Sequence, residues 1–273
     1  MTTQVDLEMD RAVKDKHRAL WALGDYPAVA SEVIAALGPA LVQAAGVGPG
    51  QRVLDVAAGS GNAALPAARA GAHVVASDLT PQLLDAGRAR TGGLPISWEA
   101  GDAEALPYAD GTFDAVISCV GVMFAPRHQR AADELVRVCR GGGTIALLNW
   151  TPAGFIGQMF VTMKPYAPPP PPGAQPAPLW GDEQHVRSLL GDRVSDLEMV
   201  TADLVVDRFA NAEQFRDFFK ACYGPTIATY RNIAHDPDKV AALDRELVDL
   251  ARRHGADDGR MAWEYLLVRA RRA

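Results

Sequence analysis

The chain has 273 residues, 48% hydrophobic and 22% charged, which is enough apolar material for a packed domain and too much for a disordered one. With a formal net charge of −6, and basic clusters limited to Arg252 with Arg253 and to residues 269–272, nucleic acid is not an expected partner. Cys119, Cys139 and Cys222 are odd in number and have neither metal-ligand nor disulfide spacing, so no metal site is expected and a reducing, cytoplasmic setting is.

In chain order, the first fifty residues read as a helical cap, and the first thirty of them are charged and polar, without an apolar signal core. Residues 29–45 are long and apolar, interrupted only by Gly38-Pro39, and Gly46-Val47-Gly48-Pro49-Gly50 then breaks the chain sharply. No stretch reaches the ~18 unbroken apolar residues of a membrane helix, so no membrane partner is expected. From Arg52 the pattern alternates. Strands are predicted at 52–57, 73–77, 96–99, 113–119 and 144–150, and helices at 62–70 and 130–139. A further helix starts at Thr80-Pro81, with an N-cap hydroxyl and a proline at its first position. Such alternation implies a doubly wound, parallel sheet whose strand ends share one ligand-binding edge.

Beyond Trp150 the texture changes. Residues 151–180 are rich in proline, unbroken from Pro168 to Pro172, and read as a lid or linker with polyproline character rather than helix. Helices are expected at 182–191, 212–222 and 238–254, and strands at 197–206 and 263–268.

The informative segment is VLDVAAGSGN at 53–62, a strand running into a small-residue turn and then a helix. Small residues let backbone amides approach a ligand, and a helix start offers unpaired N–H donors. Asp55 stands at the strand end and Asp78 at the end of the next strand, where an acid can take a ribose hydroxyl pair. Gly101-Asp102-Ala103-Glu104 closes the third strand, so three acids line one edge.

With ASD at 76–78, GDAEALPYADGTFDAV at 101–116 and ELVRVCRGGG at 134–143, this segment resembles the class I S-adenosylmethionine (SAM)-dependent methyltransferases, in particular the small-molecule enzymes like those of ubiquinone and menaquinone biosynthesis. The resemblance covers roughly residues 15–150. It implies a Rossmann-like doubly wound α/β sheet, mostly parallel with an antiparallel last strand, carrying an N-terminal helical cap and an inserted substrate lobe. The division is 1–50 cap, 51–150 SAM-binding core, and 151–273 lid insertion with the remaining strands, in a single globular unit. It also implies SAM as cofactor, S-adenosylhomocysteine as product, and roles for particular residues. Asp55 and the turn of Ala57, Ala58, Gly59 and Gly61 hold the methionine end. Asp78 accepts from the ribose, and Leu79 lies against the adenine. Asp102 accepts from the adenine amino group beside the Ala103 amide, with Glu104 next in line, and Cys119 passes near the methionine part. Trp21 and Tyr26 contact SAM from the cap. The sequence departs from the family at Ala57, where a glycine is usual, and at Gly141, where a proline is usual.

His128, just after the fourth strand, is the leading general-base candidate, its alternative being a solvated helix-start histidine; His17 is the weaker candidate. His73 reads as structural, and His185, His235 and His254 as surface residues. Met123, Phe124, Trp150 and Phe155 hint at an apolar acceptor pocket. The expected reaction is therefore methyl transfer, foremost to oxygen, on a small apolar or aromatic acceptor by a monomer or homodimer. The competing readings are a nucleotide-dependent oxidoreductase, because Gly59-x-Gly61-x-x-Ala64 mimics the dinucleotide fingerprint, and a non-catalytic SAM-binding protein.

Overall fold

The computed structural model describes residues 4–273, with side chains from Glu8 onward. Helix α1 (Gln4–Trp21) is followed by the short α2 (Tyr26–Ala28) and by α3 (Leu37–Ala45). The core then runs β1 (Arg52–Val56), α4 (Ala64–Arg69), β2 (His73–Asp78), α5 (Pro81–Ala89), β3 (Ile96–Ala100), β4 (Phe113–Cys119), α6 (His128–Val138) and β5 (Cys139–Trp150). After it come α7 (Phe155–Met163), α8 (Glu183–Leu190), β6 (Val194–Val206), α9 (Ala212–Cys222), α10 (Gly224–Ile233), α11 (Pro237–Arg253) and β7 (Met261–Arg272).

The seven strands form one sheet in the order β3-β2-β1-β4-β5-β7-β6. Pairings β1–β2, β1–β4, β2–β3 and β4–β5 are parallel, while β7 runs antiparallel to both β5 and β6. The sheet is therefore Rossmann-like and mostly parallel, with the last strand in the chain reversed. The strand order turns back between β1 and β4, so the cleft above their carboxyl ends is where a ligand is expected. Strands β1, β4 and the end of β5 are buried on both faces, which explains their continuous apolar runs. No single helix among the described residues is long and apolar enough to cross a membrane.

Three expectations need correcting. The apolar stretch 29–45 is interrupted before Gly38-Pro39, not at it: Val29–Val33 forms a π-helical turn, and the axis bends by 73° before α3. The Asn62 side-chain amide donates to the Ile34 carbonyl at 3.2 Å, which also accepts from Leu37 N–H at 3.1 Å, fixing the bend. Gly38 lies inside α3 instead of breaking it, because a Cβ there would stand 1.7 Å from the Asn62 carbonyl oxygen. Second, the region 151–180 contains a regular helix, α7, which buries Phe155, Ile156, Met159 and Met163; the proline run begins only after it. Third, Thr80 is the N-cap residue of α5, but its hydroxyl makes no capping bond; Pro81 starts the helix and the Thr80 amide turns back to Asp78. Helix α10, with Pro225 in its first turn, fills a stretch left unassigned.

Candidate active site

The sequence after β1 cannot continue as a strand. Ala57 turns into the left-handed region at φ +53°, and Gly59 and Gly61 follow at +55° and +91°. The bend is tied down locally: Ala58 N–H donates to the Ser77 carbonyl at 3.0 Å, and Gly61 N–H to the Ala58 carbonyl at 2.9 Å. Across the cleft, Val120 after β4 also has positive φ, +52°. Gly121 beside it has to lack a side chain, since a Cβ would lie 2.3 Å from the Ala57 carbonyl oxygen. Ser118 links the two strand ends, donating to the Val56 carbonyl at 2.7 Å and accepting from Val122 N–H at 2.9 Å. Two non-glycine residues in a strained conformation face one cleft, a pattern typical of ligand sites.

This cleft opens into a cavity between the strand ends and the N-terminal cap. Ala57, Gly59, Asp78 and Leu79 border it on the β1–β2 side, and Gly101, Asp102 and Ala103 on the β3 side. Val120, Gly121, Phe124, Ala125 and Pro126 close it from β4, and Lys14, His17, Trp21 and Tyr26 from the cap. Asp78 accepts from Gly59 N–H and from Thr80 N–H, both at 2.8 Å, one on each oxygen. Burial still pushes its carboxyl above the usual range, although those amides oppose the shift. The Trp21 ring meets Phe124 at 4.6 Å and Tyr26 at 5.4 Å, edge to face, giving the cavity an aromatic roof.

Helix α1 is fastened over this cavity. Lys14 Nζ lies 2.9 Å from Asp102 Oδ1 and 2.8 Å from Glu104 Oε2. Arg127 pairs with Asp10 on α1 and with Glu104 at 3.2 Å, and its amide donates to Glu104 at 2.7 Å. Arg18 Nε donates to the Leu79 carbonyl at 3.1 Å. The end of α1 presses on the α9–α10 junction, where a Cβ on Gly224 would stand 2.4 Å from the Leu20 carbonyl oxygen.

A second, smaller cavity adjoins the first, sharing Tyr26, Val120 and Phe124 with it. Val29, Ile34, Ile156, Trp150, Phe219, Tyr223 and Trp263 complete its wall.

Residues 54–147 match the family described as "Methyltransferase domain". An uncharacterised protein of Mycobacterium tuberculosis, Rv1403c, is 53% identical over the whole of both chains. A demethylmenaquinone methyltransferase of Renibacterium salmoninarum is 42% identical over 111 residues, 41% of this chain and 46% of that protein. Among solved structures, a putative methyltransferase of Bacillus halodurans shares the fold at a TM-score of 0.57 and 21% identity, covering 85% of this chain and 96% of that one. This chain carries a SAM-dependent methyltransferase domain.

The methyltransferase's residues fit SAM on two observations. Asp55 is 1% exposed beneath the bend, and neither of its oxygens has a hydrogen-bond partner; an unpaired acid there suits a cationic ligand. The bend itself is kept bare, with only the Tyr26 ring near the position a Gly59 side chain would take, at 3.4 Å. Burial holds the Asp55 carboxyl up at about 8, the nearby Ala64 amide offsetting part of this and the Asp78 charge adding to it.

Of the residues singled out for the cofactor, Trp21, Tyr26, Ala57, Gly59, Asp78, Leu79, Asp102 and Ala103 come together on the larger cavity. Asp55, Ala58, Gly61 and Cys119 lie beneath or beside it, not on its wall. Gly61 packs on the Trp98 ring, and the Cys119 thiol is buried within reach of the Asn62 amide at 3.6 Å. Glu104 is turned away from the cavity and clasped by Lys14 and Arg127. Phe124 and Trp150 border the smaller cavity, whereas Met123 is fully buried and Phe155 stacks behind Trp263 at 5.2 Å.

The structure does not bring His128 to either cavity. It starts α6 fully buried, its Nδ1 2.9 Å from Nε2 of a half-buried His185, its ring 5.6 Å from Trp180. Burial and the His185 charge pull it down to about 4, so it stays neutral, and it is neither a solvated histidine nor a base at the cleft. His17 does border the larger cavity, on the Lys14 side, and burial lowers its pKa. Lys14 and Trp263 were not anticipated; their positions follow from where α1 and β7 dock.

Proposed function

We propose that this methyltransferase acts on a small, mainly apolar or aromatic acceptor and methylates an acidic hydroxyl oxygen. The observation that carries the reading is the apolar cavity sharing a partition of Tyr26, Val120 and Phe124 with the larger one. Asp78 would take the ribose hydroxyls, Leu79, Asp102 and Ala103 the adenine, and the bend at Ala57 and Gly59 the methionine end. Bound there, SAM supplies a methyl group on a sulfonium, already electrophilic enough for direct displacement. The chain's task is to hold the acceptor against the partition and exclude water; positioning alone can contribute ~7–11 kcal/mol. The faces of Trp21 and Tyr26 suit a neighbouring cation.

The titratable groups bordering the smaller cavity, among the described residues, are the phenols of Tyr26 and Tyr223. Burial raises both well above the ordinary tyrosine value, Cys119 and Asp78 adding to the effect on Tyr26, and Tyr26 to that on Tyr223. Protonated, they can donate a hydrogen bond to a ligand but cannot take up its proton. An acceptor that loses its own proton readily, a phenol or enol, fits such a wall better than an alcohol needing a strong base.

The test is a screen with methyl-tritiated SAM over phenols, naphthols and enolic diketones against glycine, ethanolamine and other small polar amines. Label is expected in the hydroxylated aromatics. Preferential labelling of the polar amines overturns the reading.

A further inference from the structure

The smaller cavity is not uniformly apolar. Trp263 borders it at 1% exposure, and its indole N–H has no hydrogen-bond acceptor in the protein. The ring cannot easily turn to find one: it stacks on Phe155 at 5.2 Å and is wedged edge to face by Trp150 at 5.9 Å and Phe219 at 5.8 Å. A buried donor left unpaired is costly, and most such donors in native proteins are satisfied. The cavity that the ring borders offers open volume beside it. Trp263 takes no part in the partition with the cofactor site, so its N–H serves a part of the ligand away from the methylated atom.

We infer that Trp263 is a specificity-determining residue, its indole N–H donating to a carbonyl-type oxygen carried on the ring body of the acceptor. The acceptor class is thereby narrowed to compounds bearing a nucleophilic oxygen at the partition and a carbonyl oxygen at the Trp263 wall, joined by an apolar ring system. The inference rests on the methyl-transfer reading given above. Trp180 supplies an internal comparison, since its indole N–H is likewise buried without an acceptor but it borders neither cavity.

The test uses the full chain with ¹⁵N-labelled tryptophan, saturated with S-adenosylhomocysteine, and two probes of one shape: 1-tetralone, which carries the carbonyl, and tetralin, which does not. In wild type, 1-tetralone is expected to shift the Trp263 indole proton and to bind about five- to tenfold more tightly than tetralin, the worth of one neutral hydrogen bond. Trp263→Phe should reduce 1-tetralone to the affinity of tetralin while leaving S-adenosylhomocysteine binding unchanged, and Trp180→Phe should keep the ketone preference. Equal affinity for the two probes in wild type, a ketone preference that survives Trp263→Phe, an unmoved indole signal, or binding of neither probe overturns the inference and leaves the methyl-transfer reading standing. Failure to bind S-adenosylhomocysteine overturns both. If Trp263→Phe does not fold, the wild-type probe comparison and indole signal decide the question.

Discussion

Replacing Lys14 by methionine tests whether α1 is held by charge or by packing. The Lys14, Asp102 and Glu104 side chains are 9%, 24% and 2% exposed, so water screens the cluster weakly. Breaking a buried ion pair by removing one partner costs about 3–5 kcal/mol because the remaining charge is stranded. Glu104 keeps Arg127 at 3.2 Å and an amide at 2.7 Å, which argues for about 2–3 kcal/mol, below that range. For a chain of this size each kcal/mol moves Tm by about 2–3 °C, giving a fall of about 4–9 °C in thermal unfolding followed by circular dichroism. Adding Glu104→Gln removes the stranded charge, so the double variant should lose less than the two single losses combined, by about 1 kcal/mol or more. S-adenosylhomocysteine affinity should drop with the single variant, since α1 supplies His17, Trp21 and the Arg18 bond to Leu79. A Tm within 1 °C of wild type, or strict additivity, refutes the electrostatic account.

Two further outcomes are expected. Asp55, held up at about 8 by burial, is protonated at neutral pH, whereas unfolded it ionises near its ordinary value of 3.8. The stability this group contributes is therefore present in acid and lost as pH rises through about 8. Asp55→Asn should flatten that slope and stabilise the ligand-free protein at pH 8 by several kcal/mol, about 3–5 in order of magnitude. A cationic ligand favours the ionised acid, so SAM binding near pH 7 should release a proton, detectable by calorimetry in buffers of different ionisation enthalpy, and the Asn variant should release none; equal release in both refutes the assignment. Ala57 sits at φ +53°, where an L-residue is strained by roughly 1 kcal/mol, so Ala57→Gly should raise unfolding stability by about that amount, and a loss of stability would contradict the bend as described.

The parts of the site legible in sequence are those built within a few residues. The bend at 57–61 follows from strand, small residues and helix in succession, and Asp78, Asp102 and Ala103 from being at the ends of consecutive strands. Lys14 was illegible for a physical reason. Asp10, Lys14 and Arg18 recur every four residues, which reads as a solvated helix stripe, and only the docking of α1 onto the sheet edge gives each of them a partner there, with Lys14 buried. His128 misled in the opposite way. Its nearness in sequence to the fourth strand suggested the cleft, but the first turn of α6 aims the ring at His185 and Trp180. The wall of the smaller cavity draws on Tyr26, Trp150, Phe219 and Trp263, and no local pattern distinguishes these aromatics from the core residue Phe155.

The reversed direction of β7 has a practical corollary. Its opening residues lie level with Trp150, at the ligand edge, while Thr144 at the opposite edge pairs with Arg271, and the Ala273 amide bonds to the Arg193 carbonyl there. Tethering the protein to a sensor chip through Ala273 therefore presents the binding mouth to the flowing solution. A tether on the α1 side pulls instead on the helix that roofs it.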